Sequence, residues 1–187
     1  MARWEPDARG RLMSAAMELF ADAGFEQTTV VDIAERAGVT ERTFFRYFAD
    51  KREVLFDSSN ELQTVVVDAV TSAPATMAPV DVVVGAFESA AVLLDNRRDY
   101  ASQRAATIAA NPGLQERDLL KLASLGAAAA AALRARGVTE PAASLSAETS
   151  VTVFRVGFER WVSTSSGDLA RCIRETLDEL KALTALP

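Results

Sequence analysis

At 187 residues, 49% of them hydrophobic and with a formal net charge of −6, the chain has the length for a small domain attached to a larger one, each with its own core. One cysteine, Cys172, and no histidine exclude an internal disulfide, a Cys/His zinc site and any Ser-His or Cys-His catalytic pair within one chain. No metal, cofactor or catalytic group is expected, and no membrane partner either. No stretch approaches the roughly 20 apolar residues of a span, and Met1 to Asp7 lacks the apolar centre of a signal peptide, so the expected location is the cytoplasm.

Leu12, Ala15, Ala16, Leu19 and Phe20 form a helical stripe between Asp7 and Ala23, and Gly24 ends it. Thr29-Val30-Val31-Asp32 then reads as a capping box, which starts a second helix near Val30 with Ile33, Ala34 and Ala37 inward. Gly38 can take the left-handed angles that stop a helix, Val39 is expected to drop into the core, and Thr40 can cap a third helix. In that helix Phe44 and Phe48 are four apart and face inward, which leaves Arg42, Thr43, Phe45, Arg46 and Tyr47 on the sides that remain available. Two short helices joined by a glycine turn outline a DNA-reading helix-turn-helix. Asp50 with Glu53 three residues on predicts a further helix, running from Lys51 through Val54, Leu55, Leu62 and Val66 to about Val70.

Two prolines and short polar residues make Thr71 to Pro79 a loop. Helical spacing returns at Val80, Val83, Val84, Phe87, Ala91 and Leu94, is interrupted from Asp95 to Asp99, and resumes from Tyr100 to Ala110. After the break at Asn111-Pro112-Gly113, Leu114 to Arg136 carries an alanine run, Ala127 to Ala132, that lets a neighbouring helix come close. From Ala147 to Val162, Val151, Phe154, Phe158 and Trp161 form one stripe while Val153, Val156 and Val162 sit elsewhere, so this helix needs burial on most sides. A turn from Ser163 to Asp168 precedes a last helix with Leu169, Ile173, Leu177 and Leu180. Two adjacent apolar helices predict a homodimer in which each subunit gives both to a four-helix bundle.

The acidic total argues against a nucleic-acid partner, since phosphate neutralisation dominates DNA affinity. Its distribution argues the other way. From Met1 to Phe56, 8 Lys and Arg stand against 10 Asp and Glu, but within Thr40 to Arg52 the cations Arg42, Arg46, Lys51 and Arg52 outnumber Glu41 and Asp50. A small positive surface on an acidic chain suits a specific binder with little affinity for random DNA.

With Thr29, Ile33-Ala34, Ala37-Gly38-Val39, Thr43-Phe44-Phe45, Phe48 and Lys51 in view, the chain resembles the TetR family of transcriptional regulators. The match is close over about a quarter of the chain. It departs where Arg42 replaces a common glycine, Phe45 a common tyrosine and Tyr47 a common histidine. The resemblance implies an all-α fold of about nine helices. Residues 1–50 would form a three-helix helix-turn-helix DNA-binding domain, and 51–187 a larger helical ligand-binding and dimerisation domain.

It also implies a DNA-contact set of Thr29, Thr40, Arg42, Thr43, Phe45, Arg46, Tyr47 and Lys51. In that set Arg42 and Arg46 meet bases or phosphates, Tyr47 donates to phosphate, Phe45 packs on sugar, and Thr29 and Lys51 contact the backbone. An effector pocket is implied at Phe87, Ala91, Tyr100, Arg104, Ile108, Phe154, Phe158 and Trp161, with core packing as the alternative reading of each. Arg155 joins Arg104 as an anion partner if buried. The C-terminal part is similar to a subgroup of these regulators that takes acyl-CoA, so the implied effector is a small apolar or acyl-type molecule. The expected function is a homodimeric repressor that binds a palindromic double-stranded DNA operator and is released by that effector. The alternative is a helical interaction module that keeps the shape without reading DNA.

Overall fold

The computed structural model describes residues 7–57, 59–164 and 167–185; Ser165 and Ser166 of the expected turn, and most of the N-terminal segment, lie outside the described residues. Every regular element among the described residues is helical. They are α1 (Ala8–Asp22), α2 (Val30–Arg36), α3 (Glu41–Tyr47), a 3₁₀ turn (Glu53–Phe56), α4 (Ser59–Ser72), α5 (Pro79–Ala90), α6 (Val92–Asp95), α7 (Arg98–Ala109), α8 (Pro112–Ala135), α9 (Ala142–Ser163) and α10 (Leu169–Thr184). The chain divides into two compact units, 1–58 with 103–118, and 59–102 with 119–187. The first unit thus runs past the expected boundary at 50 and takes in a later segment.

Inside the first unit, Leu12, Ala16 and Phe20 of α1 are buried with Ile33, Phe44 and Phe48 of the reader and with Val54, Leu55 and Phe56. The last three mark a departure from expectation: residues 53–56 form a 3₁₀ turn and α4 begins only at Ser59, so the expected helix from Lys51 to Val70 is not one continuous element. Asp50 still caps as expected, its Oδ1 accepting from the Arg52 amide at 2.8 Å and the Glu53 amide at 3.1 Å. The later segment is bonded in by Gln103, whose Nε2 donates to the Met17 carbonyl at 2.8 Å, and by Arg104, whose Nε donates to the Leu55 carbonyl at 2.6 Å.

The second unit is built around α5 and α9. Pro79 stands at the first turn of α5, where its missing amide is no loss. Phe87 stacks on Phe154 of α9 at 4.8 Å, and a line of rings continues through Phe158 at 6.1 Å to Trp161 at 5.7 Å. Gly157 lets α10 lie against α9: a Cβ there would stand 2.9 Å from the Cα of Ile173. Val151, Val153, Phe154 and Trp161 of α9 are buried in one core with residues of α5 and α10, Gly126 of α8 lies beside Val151, and the Arg98 guanidinium lies 4.9 Å from the Trp161 ring centroid. The outward residues of α10 are mostly charged and those of α9 mixed, with Leu145 and Leu183 exposed, Arg160 paired to Glu179 and Arg171 to Glu175.

Candidate nucleic-acid interface

Local hydrogen bonds build the reader almost completely. Thr29 N donates to Asp32 Oδ2 at 2.8 Å, and Asp32 N donates back to Thr29 Oγ1 at 3.2 Å, so both halves of the capping box are made. The Thr29 side chain and amide hold the Asp32 carboxyl below the usual aspartate range. At the other end of α2, Gly38 adopts φ 67°, Gly38 N donates to Glu35 O at 3.0 Å and Val39 N to Ala34 O at 2.9 Å. That pair of bonds is a Schellman stop, and it fixes the angle at which the chain enters α3. Val39 is half-buried rather than inside the core. Thr40 then caps α3 by accepting from Thr43 N at 3.2 Å.

With Phe44 fully buried and Phe48 beside it at 5.5 Å between ring centroids, α3 has one orientation. Arg42, Phe45, Arg46 and Tyr47 are all exposed, and Thr43 is half-buried. Phe45 is 54% and Tyr47 39% exposed, which puts two aromatic rings beside the arginines on the open side of α3. Arg46 Nη2 donates to Tyr47 Oη at 3.0 Å, and its guanidinium lies 4.9 Å from that ring's centroid. The two side chains therefore hold each other on the outer face.

Three expected cation and cap roles look different in the structure. Lys51 Nζ donates to the carbonyls of Phe25 at 2.7 Å, Thr28 at 2.9 Å and Glu26 at 3.2 Å, and lies 4.4 Å from the Phe25 ring centroid. An ammonium has three hydrogens, so none is left over for a phosphate. The Thr29 hydroxyl is likewise engaged, donating to Asp32 Oδ2 at 2.6 Å. Arg52 forks onto Asp50 at 2.7 and 3.1 Å, which neutralises it. Thr28, missed in the sequence reading, is 2% exposed and donates to the Gly24 carbonyl at 2.9 Å, closing the turn that Lys51 holds. Its only sequence signal is adjacency to Thr29.

The residues expected to line an effector pocket are divided between the two units, with Phe87, Ala91, Tyr100, Phe154, Phe158 and Trp161 in the second. Arg104 and Ile108 belong to the first unit, where Arg104 also donates to Asp118 Oδ1 at 2.7 Å and lies over Phe56. Phe87, Ala91 and Trp161 are fully buried, Phe154 nearly so, Phe158 and Tyr100 half-buried. The rings of Phe87, Phe154, Phe158 and Trp161 pack on one another. Trp161 Nε1 is buried there without a hydrogen-bond partner among the described residues. Arg155 is exposed and pairs with Glu159 at 2.8 Å, so it holds no buried anion site. Among the described residues no helix is long and apolar enough to cross a membrane.

Comparison with known proteins agrees with this geometry. Residues 12–57 match the family described as bacterial regulatory proteins, tetR family, and residues 77–185 match the MftR C-terminal domain. The regulator TcmR of Streptomyces glaucescens is 40% identical over 81 residues, 43% of this chain and 36% of that protein. The repressor KstR2 of Mycobacterium tuberculosis is 40% identical over 47 residues, 25% of this chain and 24% of that protein. These alignments span about a third or less of the relatives' own lengths. Among solved structures, the Thermus thermophilus TetR-family repressor FadR in complex with lauroyl-CoA superposes with a TM-score of 0.58 at 27% identity, covering 91% of each chain. The fatty acid degradation regulator FadR of Bacillus halodurans has the same fold, with a TM-score of 0.60 at 19% identity over 95% of this chain and 99% of that one. With its reader built as described and family matches over both parts, the chain belongs to the TetR family of bacterial regulatory proteins.

Proposed function

We propose that the chain is a cytoplasmic, DNA-binding transcriptional regulator that acts as a homodimeric repressor on a two-fold operator and leaves it when a small apolar or acyl-type effector binds. The single observation that carries the reading is α3. Its inner face is locked by Phe44, and its outer face carries Arg42, Phe45, Arg46 and Tyr47 in the open. This exposure supports a reading in which the arginines meet major-groove edges and the aromatics meet the backbone. Thr40 and Thr43 remain candidates for phosphate at the start of α3, while Lys51 and Thr29 serve the reader by holding its shape.

The dimer is proposed through the outer faces of α9 and α10. These faces mix ion pairs with the exposed Leu145 and Leu183, so apolar burial and electrostatic complementarity together set the register of the pair. For the effector, support comes from the family relative that holds lauroyl-CoA and from the unsatisfied Trp161 Nε1, which an acceptor on a ligand would satisfy. Such a ligand shifts the equilibrium only by its differential affinity for the DNA-competent and released forms.

Selection of bound sequences from a random duplex pool tests the reading. The expected product is a palindrome with half-sites about one turn, roughly 10 base pairs, apart. Arg46→Ala should bind that product about ten- to a hundredfold more weakly. No enriched sequence would favour the interaction-module reading instead.

A further inference from the structure

Arg46 and Tyr47 are consecutive, and consecutive residues of an α-helix do not ordinarily face each other. Here they meet: Arg46 Nη2 donates to Tyr47 Oη at 3.0 Å, and the guanidinium carbon lies 4.9 Å from the centre of the ring. Tyr47 is the last residue of α3, and its ring stands 6.5 Å from that of the buried Phe48, which in turn stands 5.5 Å from that of Phe44. This line of rings ties the guanidinium to the core of the first unit.

The acceptor is neutral, and that decides what Arg46 can still do. Arg36 and Arg52 of the same unit are each paired with a carboxylate, Glu18 at 3.0 Å and Asp50 at 2.7 Å, whereas Arg46 has no carboxylate partner among the described residues. Its charge is uncancelled. A guanidinium carries five N–H groups and the bond to Tyr47 uses one, so a fork of two remains for O6 and N7 of a guanine. The tyrosine oxygen accepts in that bond, which leaves its own hydrogen for a phosphate. Hydrogen bonds in series polarise one another, so the phosphate bond and the hold on Arg46 reinforce each other. An arginine held in this way meets one acceptor pattern, whereas one that swings freely can follow acceptors to a neighbouring base pair.

We propose that Tyr47 is the positioning residue that makes Arg46 selective: by holding one Nη2 hydrogen it fixes the direction of the remaining fork, and so sets a guanine preference at one base pair of each half-site. Tyr47 thereby acts twice, on the backbone directly and on a base through Arg46. The inference rests on the DNA-reading function proposed above.

The test titrates the full chain by fluorescence anisotropy against the selected duplex and against duplexes in which each G·C pair of the half-sites is changed in turn to A·T, adenine keeping N7 but placing a donor where O6 accepted. Arg46→Ala marks the contacted pair as the one whose change no longer matters. At that pair the wild type should prefer guanine by about tenfold or more. Tyr47→Phe keeps the exposed ring and removes only the oxygen. It should cut the preference at that pair about threefold or more, while weakening every duplex by one common factor for the lost phosphate bond. In the Arg46→Ala chain the same change should leave only the common factor. A preference unchanged by Tyr47→Phe, a preference that falls alike at every G·C pair, or a further loss of discrimination in the Arg46→Ala chain would each overturn the coupling. So would an Arg46→Ala chain that discriminates at every pair as the wild type does. Each of these results requires a selected duplex that the wild type binds, and so leaves the DNA reading standing; a pool with no enriched sequence overturns that reading and this inference together.

Discussion

Lys51→Met should destabilise the first unit by about 2 to 4 kcal/mol, a large share of the stability of an ordinary domain. The methionine keeps most of the apolar stem but strands the carbonyls of Phe25, Glu26 and Thr28, two of those bonds being partly buried, and removes the cation from the face of Phe25. Lys51→Arg should not rescue it, because a planar fork cannot direct donors to three carbonyls arranged around a point charge. Hydrogen exchange separates this role from phosphate contact. If Lys51 is a staple, amides from Gly24 to Ile33 exchange faster in the variant without DNA present. If it were a phosphate ligand, exchange in the unbound chain would be unchanged, and the logarithmic salt dependence of duplex binding would fall by about 0.9.

Gly157→Ala should have the opposite sign from the usual glycine replacement in a helix. In open surroundings alanine stabilises a helix by about 1 kcal/mol over glycine. Here the added carbon would meet the Cα of Ile173 at 2.9 Å, its N at 3.0 Å and the carbonyl carbon of Cys172 at 3.2 Å, all backbone atoms of α10. Backbone cannot rotate aside as a side chain can, so α10 must move away from α9. Overpacking of this kind costs about 1 to 3 kcal/mol, and Gly157→Val should exceed that. Urea denaturation of the variant measures the loss. Because the proposed dimer uses the outer faces of the same two helices, sedimentation equilibrium should also show a weaker dimer. A variant as stable as the wild type would mean that the helices separate without penalty.

How much of this was legible in the sequence depended on the range of the interaction. The capping box at Thr29, the stop at Gly38, the cap at Thr40 and the inward pair Phe44 and Phe48 involve partners within a few residues, and all stand as read. The exposed face of α3 follows from the same short-range logic. Lys51 was read as exposed to DNA because its three acceptors lie 23 to 26 residues away, and nothing in the local pattern points to them. The 3₁₀ turn at 53–56 was hidden because Asp50 and Glu53 give the same signal for a 3₁₀ turn as for an α-helix.

The apolar sides of α9 announced burial correctly but not by what. Much of their cover comes from α5 and α10 of the same chain, while Val156, Phe158 and Val162 stay half-buried and Leu145 exposed. Arg104 illustrates the remaining difficulty. An arginine in an apolar helix signals an unusual contact, yet the choice between a ligand and the Leu55 carbonyl with Asp118 is made by tertiary packing.

The central claim is that α3 reads the edges of bases in the major groove, and interference by guanine N7 methylation on the selected duplex tests it most directly, since N7 lies only in that groove. The account predicts two clusters of interfering guanines about one helical turn apart, weakened in Arg46→Ala. Interference confined to adenine N3 in the minor groove, or binding indifferent to methylation at every guanine, would contradict it.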